Sequence, residues 1–348
     1  MKHTKRDASL DVIRILATFF VMSVHFFSQI GYYEQVMAGK RMLVMTILRS
    51  FFMICVPLFL LLTGYLMSGK RLSKRYYLGI VKTLSIYLIA SILHIVYKNS
   101  ITPGTYTLKS GILGILRYSA ANYAWYVEMY IGLFLIIPFL NLAYTGLKGQ
   151  KQKQVLVFSF VAVTSITLST APRWWSNAYP LTYYFIGCYL KEFGIPLKRK
   201  TCLLLLPVCA VFTGFFVFYK CQGGLFRWEI WQSYSSIFSV GMAVLFFSFF
   251  AKSGKINGIS HRAKGILRYL SELTFGAYLV SYIFDSTFYP KLLADAPDTI
   301  YNLKYYFILV PLVFLCAMLL SAGMNLLYQA ASWAVKRGAF LVKKKRAV

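Results

Sequence analysis

Carboxylates are scarce in this sequence: 10 Asp and Glu stand among 348 residues, against 38 Lys and Arg, and charged residues make up only 14%. Water-soluble domains usually carry about 25% charged residues, so an ordinary soluble enzyme or a soluble nucleic-acid binder is a poor fit. Cysteine and histidine are equally thin. The 6 Cys form no CxxC pair, and five of them lie in apolar runs, which makes them small hydrophobes with no disulfide or zinc framework implied. The 4 His are scattered without ligand spacing, so no metal is expected. What the chain has in abundance is apolar length, at 58% hydrophobic residues, combined with a formal net charge of +28.

Ten apolar stretches approach the roughly 20 residues that a membrane-spanning helix needs. They cover residues 10–29, 42–67, 76–97, 124–144, 155–170, 178–190, 201–219, 231–250, 266–288 and 304–328. The sixth is short, which leaves nine or eleven spans open. Runs this continuous, without a period of two, favour helices over a barrel. The first run is longer than a signal-peptide core and no small-residue cleavage site follows it, so it reads as a retained span. The expected fold class is an all-α integral membrane protein, a polytopic bundle of about ten transmembrane helices forming a single domain over residues 1–348.

Charge placement orients the bundle. About 25 of the 38 basic residues fall before the first run or after every second one, among them Lys2, Lys5, Arg6, Lys70, Arg71, Lys74, Arg75 and the tail from Lys343 to Arg346. About 10 fall on the opposite side, and Arg14, Arg49 and Lys82 lie within spans. Positively charged loops are poorly translocated, so both termini are expected in the cytoplasm of a multi-pass cell-membrane protein. Attraction to anionic lipid headgroups is an expected by-product. Two outside segments, 98–123 and 289–303, are longer than the rest. The first carries Leu108, Ile112, Leu113, Ile115 and Leu116 beside Lys109 and Arg117, which suits a helix lying at the interface or re-entering it. A plain tether and a substrate gate fit it equally well. No soluble domain is expected at either end, so chemistry must come from the helices and their loops.

Ionisable residues inside spans are costly and mark functional sites by default. Asp11, Arg14, Thr18 and His25 fall at i, i+3, i+7 and i+14, on one face of the first helix at about 100° per residue. Arg14 and His25 are separated by about three turns, roughly 16 Å along the axis. A neutral His25 could serve as a general base if a partner orients it, or it could simply hydrogen-bond a neighbouring helix. His94 competes for the role but lacks a polar stripe. Glu128, about one turn below the outer surface and comparable in depth with His25, is the expected partner, in the manner of a triad carboxylate. A structural ion pair between Glu128 and Arg49 fits almost as well. Asp285 and Glu272, at the outer and inner ends of the ninth run, are further candidates, each expected to be solvated near a helix end. Two similar strings, Val56 to Leu66 with Pro57 and Gly64, and Tyr184 to Leu190 with Gly187, read as sites of kinking and close helix approach. Trp125, Trp174 and Trp175 read as interfacial anchors.

Taken together, the pattern resembles the acyltransferase type 3 family of integral-membrane O-acyltransferases. The resemblance rests on Leu10-Asp11-Val12-Ile13-Arg14-Ile15-Leu16-Ala17 followed by His25, which looks like that family's Arg-x10-His signature. It continues through Val56 to Phe59, Gly64 to Leu66, Trp125 to Val127, Ile131 to Leu133, Tyr184 to Leu190 and Leu273 to Val280. Many members have a histidine just before the Trp of helix four, where this chain has Tyr123 and Ala124, and another where it has Ser281. The resemblance implies transfer of an acyl group, usually acetyl from acetyl-CoA, to a hydroxyl of a cell-envelope or exported glycan, a polysaccharide O-acetylation. CoA is cytoplasmic and polyanionic, so Arg14 with Lys70, Arg71, Lys74 and Arg75 could hold its phosphates. His25 would then deprotonate the acceptor hydroxyl as it attacks the thioester. The competing functions are a transporter or flippase of a lipid-linked or small anionic substrate, using Arg14, Arg49 and Glu128 along a path, and a sensing module without turnover. The expected partners are acyl-CoA, the acceptor and membrane lipid, with no nucleic acid; the oligomeric state is open.

Overall fold

The computed structural model describes residues 6–166, 173–295 and 298–346, with side chains given except at 173, 300, 336 and 338–346. Lys2, Lys5 and the end of the 155–170 run lie outside the described residues, as do the side chains of Lys343 to Arg346. The described chain is helical throughout and contains no strand. Its helices are α1 (Ala8–Gln29), α2 (Gly39–Phe52), α3 (Cys55–Met67), α4 (Lys74–Leu78), α5 (Val81–Ile101), α6 (Leu108–Leu116) and α7 (Trp125–Gly146). They continue with α8 (Gln150–Ser165), α9 (Tyr179–Glu192), α10 (Arg199–Cys221), α11 (Ile237–Phe250), α12 (Gly254–Asn257), α13 (His261–Asp295) and α14 (Tyr306–Arg346).

Among the described residues, seven helical stretches are long and apolar enough to cross a membrane: Ala8–Gln29, Gly39–Met67, Lys74–Ile101, Trp125–Gly146, Arg199–Cys221, Ile230–Phe250 and Tyr301–Val335. The bundle's outward surface is greasy, with Leu204, Val208, Phe307 and Leu319 all exposed. A skin of that kind fits lipid and not water, so the chain is a membrane protein. Helices α8 and α9, at 16 and 14 residues, are shorter than any of these seven stretches.

Local sequence explains the interruptions. The run from 42 to 67 is divided at Met53 and Ile54, because Pro57 has no N–H to offer the carbonyl of Met53. Helix α6 forms within segment 98–123, opened by a capping box between Thr107 and Ser110, with Leu108 and Leu116 exposed. Segment 289–303 is less of a loop than expected. Helix α13 runs on to Asp295, and a 3-10 turn covers Thr299–Tyr305.

Helix α1 forms the axis of the bundle, packed by α2, α3, α11, α13 and α14. Ile13, Ala17, Met22, Phe26 and Phe27 bury its faces. One end of the bundle gathers Arg6, Lys70, Arg71, Arg75, Lys191 and Lys252, and is called the basic end below. There Asp7 caps α1 and accepts hydrogen bonds from Asn257 and from the Lys252 amide. At the same end Asn141 of α7 donates to the carbonyls of Met67 and Lys70. The two look-alike strings of α3 and α9 pack on each other. A Cβ on Gly64 would collide with the carbonyl of Tyr184, and one on Gly187 with the carbonyl of Leu61. In lipid, where helices gain little hydrophobic drive toward one another, such backbone proximity supplies the association.

Candidate active site

The polar stripe of α1 divides into two clusters, one at each end. At the basic end, Asp11 is buried and takes a two-pronged bond from Arg6, at 2.6 and 3.0 Å. Arg14 lies 3.6 Å from the same carboxylate and donates to Ser271 Oγ of α13 at 2.7 Å. Thr18 donates back to the Arg14 carbonyl. Arg14 is therefore held from two sides, while part of its guanidinium faces open space.

That space is a cavity of about 270 Å³ lined by Arg14, Val56, Thr63, Tyr126, Tyr130 and Tyr278, among others. Toward the basic end it adjoins a cleft of about 520 Å³, with Met67 and Tyr130 lining both. Lys70, Arg71 and Arg75 line the outer cleft. Lys74, expected beside them, is exposed and is not part of that lining. A side cavity of about 230 Å³ also reaches Arg14, between Lys82, Ser271, Glu272 and Asn325.

Three turns along α1, His25 meets α13 and the start of α7. Its Nδ1 lies 3.7 Å from Asp285 Oδ2. The Tyr123 ring stacks on the imidazole, with centroids 3.7 Å apart, and its hydroxyl donates to Asp285 Oδ2 at 2.8 Å. Gln29 donates to that hydroxyl at 3.3 Å. His25 Nδ1 and Asp285 Oδ1 are buried without a hydrogen-bond partner among the described residues. The imidazole side chain is 15% exposed, and since Nδ1 is buried, that exposure lies elsewhere on the ring. Tyr278 of α13 donates a hydrogen bond to the Tyr123 carbonyl, fixing the segment that carries the stacked ring.

Two expectations are overturned here. Asp285, expected to be solvated, is completely buried and stands beside His25. Glu128, expected to be that partner, is exposed and makes no ion pair with His25 or Arg49 among the described residues. Its depth along α7 is comparable, but its face points outward, and a depth argument cannot read rotation about the helix axis. Arg49 is buried under aromatic rings instead, 4.6 Å from the Phe226 centroid and 5.4 Å from that of Trp228. Glu272 pairs with Arg268 one turn away and stays exposed, as expected. His94 is tied to the carbonyl of Leu279 at 2.9 Å, a structural bond between α5 and α13.

Asp285 is thus the further candidate that stands beside His25, and Tyr123 is a neighbour that the sequence did not single out as a site residue. The available signal was Tyr123 itself, which occupies the place where many members of the resembled family have a histidine. No curated protein and no solved structure matches this chain significantly. One family model does, described as an acyltransferase domain and matching residues 7–322. That match includes Arg14, the cavity beside it, the basic cleft and the His25 cluster, and by it the chain belongs to the acyltransferase type 3 family.

Proposed function

We propose that this membrane acyltransferase is an O-acetyltransferase that takes acetyl from cytoplasmic acetyl-CoA and esterifies a hydroxyl of a cell-envelope or exported glycan. In this reading the bundle crosses the cell membrane about ten times with both termini cytoplasmic. The short α8 and α9 are then crossings as well, and the basic end faces the cytoplasm. The bias of Lys and Arg toward that end supports the orientation.

One observation carries the reading: a basic cleft adjoins, at Met67 and Tyr130, a cavity lined by Arg14 and by Tyr278, whose hydroxyl donates to the carbonyl of Tyr123 in the His25 cluster. CoA needs such a path. Its phosphates bind Lys70, Arg71 and Arg75 at the mouth, with Lys74 adding charge nearby. Its extended arm passes Arg14 and covers the roughly 16 Å to His25. The acceptor hydroxyl loses its proton to Nε2 of His25, the ring nitrogen turned away from Asp285, as its oxygen bonds to the thioester carbon. The C–S bond breaks, and the departing thiolate takes the proton back from the imidazolium. Asp285, with Oδ2 3.7 Å from Nδ1, stabilises the transient cation by its charge, the service a buried carboxylate gives in a triad.

Purified protein in nanodiscs, given radiolabelled acetyl-CoA and envelope glycan, tests the donor path. Arg14→Ala is expected to raise the KM for acetyl-CoA by roughly ten- to a hundredfold, the worth of a lost charged hydrogen bond. Donor dependence unchanged in that variant would rule out the path past Arg14. A transporter or flippase would move no label into the glycan at all.

A further inference from the structure

At the end of the bundle opposite the basic cleft lies a second cleft, of about 520 Å³, that the donor path does not use. The segments before α9 and before α11 build it, and Tyr179, Trp228, Trp231 and Tyr234 line it together with Glu229 and Asn177. Ser176, Ser233 and Ser235 add hydroxyls, and no described lining residue is basic.

The loop that carries most of this lining is pinned from below. Met37 and the glycines at 223 and 224 exchange backbone hydrogen bonds. Arg49 donates to the Gln232 carbonyl, and Tyr183 to the Tyr234 carbonyl, at 3.3 and 2.7 Å. Arg49 also sits beneath Trp228 and Phe226 with no carboxylate partner among the described residues. Its buried cation is thus spent on rings and a carbonyl of this loop.

The cleft also connects to the donor cavity. Tyr278 and Tyr126, which line that cavity, form a line of rings with Trp125, Tyr234 and Tyr179, each centroid 5.9 to 6.0 Å from the next. Tyr123, stacked on His25, is two residues from Trp125. The cleft therefore lies at one end of this line, at Tyr179 and Tyr234, and the donor cavity at the other, at Tyr126 and Tyr278.

We propose that this cleft binds a neutral sugar ring of the acceptor, so its role as acceptor site rests on the acyltransferase reading above. Aromatic faces suit the C–H faces of a pyranose, and the Ser, Asn and Glu groups around them suit its hydroxyls. The lone carboxylate, with no lining cation, disfavours phosphorylated or acidic glycans.

The test is a glycan array carrying neutral, amino and acidic oligosaccharides, probed with the full chain in nanodiscs. Trp228→Ala combined with Trp231→Ala is compared with Trp228→Tyr, and gel filtration checks that each variant folds. The expected result is binding to neutral glycans that falls about tenfold or more in the double variant, the equivalent of one lost ring contact or more, and survives in Trp228→Tyr. Absence of binding to any neutral glycan, preference for acidic ones, or full binding by a folded double variant overturns the proposal. Label transfer measured alongside separates the two readings. Transfer without cleft-dependent binding removes the cleft and leaves the enzyme, whereas binding through the cleft without transfer removes the enzyme and leaves the cleft.

Discussion

Asp285 and Tyr123 define what His25 can do. The 3.7 Å between Nδ1 and Oδ2 is an ion-pair distance and too long for a hydrogen bond. Tyr123 already donates to that oxygen, so a modest shift when substrate arrives would let Nδ1–H join it. Asp285→Asn is expected to lower kcat by roughly 10² to 10⁴, the range of a lost triad carboxylate, with the KM for acetyl-CoA little changed. Wild-type turnover in that variant would reduce Asp285 to a packing role. Tyr123→Phe keeps the stacked ring and loses one donor, so a smaller loss of about tenfold is expected in the same assay. Glu128→Gln should turn over like the unmodified protein. Arg14 and His25 were legible in the sequence because they share one helix, where spacing alone fixes the face. Asp285 was not, because its pairing with His25 joins residues 260 positions apart and depends on how α13 is rotated against α1.

The helices were legible as apolar runs, and their boundaries were set by chemistry that the runs conceal. Pro57 divides 42–67 into α2 and α3. Helix α8 begins at Gln150, ahead of its apolar run, because Lys153 is drawn inward to Glu192 of α9 at 2.8 Å and to the Tyr144 face. The pairing of the strings around Gly64 and Gly187 could not be read from either string alone, since a close approach needs both partners. Gly187→Val puts a branched side chain against the backbone of α3. It is expected to destabilise the protein by about 1–3 kcal/mol, the cost of overpacking, read as a lower melting temperature in detergent. An unchanged melting temperature would mean that α3 and α9 stand further apart than described.

For the molecule as a whole, the scarcity of carboxylates and the excess of Lys and Arg turn into a polarity between two ends. The basic end carries the cleft lined by Lys70, Arg71 and Arg75, and the other carries the His25 cluster, α6 and the aromatic cleft. Cysteine substitution reads that polarity directly. Leu72→Cys, exposed between α3 and α4, should react with a membrane-impermeant maleimide only after the cells are opened, and Leu108→Cys, at the start of α6, in intact cells. The reverse pattern would turn the bundle over and separate the basic cleft from cytoplasmic CoA.

The central claim is that one imidazole, by taking the proton of the acceptor hydroxyl, drives direct transfer of an acetyl group from a donor on one side to an acceptor on the other. The most direct measurement is the radiolabel recovered in envelope glycan after purified protein is incubated with labelled acetyl-CoA, compared between the unmodified chain and a folded His25→Ala variant. The account predicts covalent label in the first and background in the second. Equal labelling by the two, or none by the unmodified chain, would contradict it.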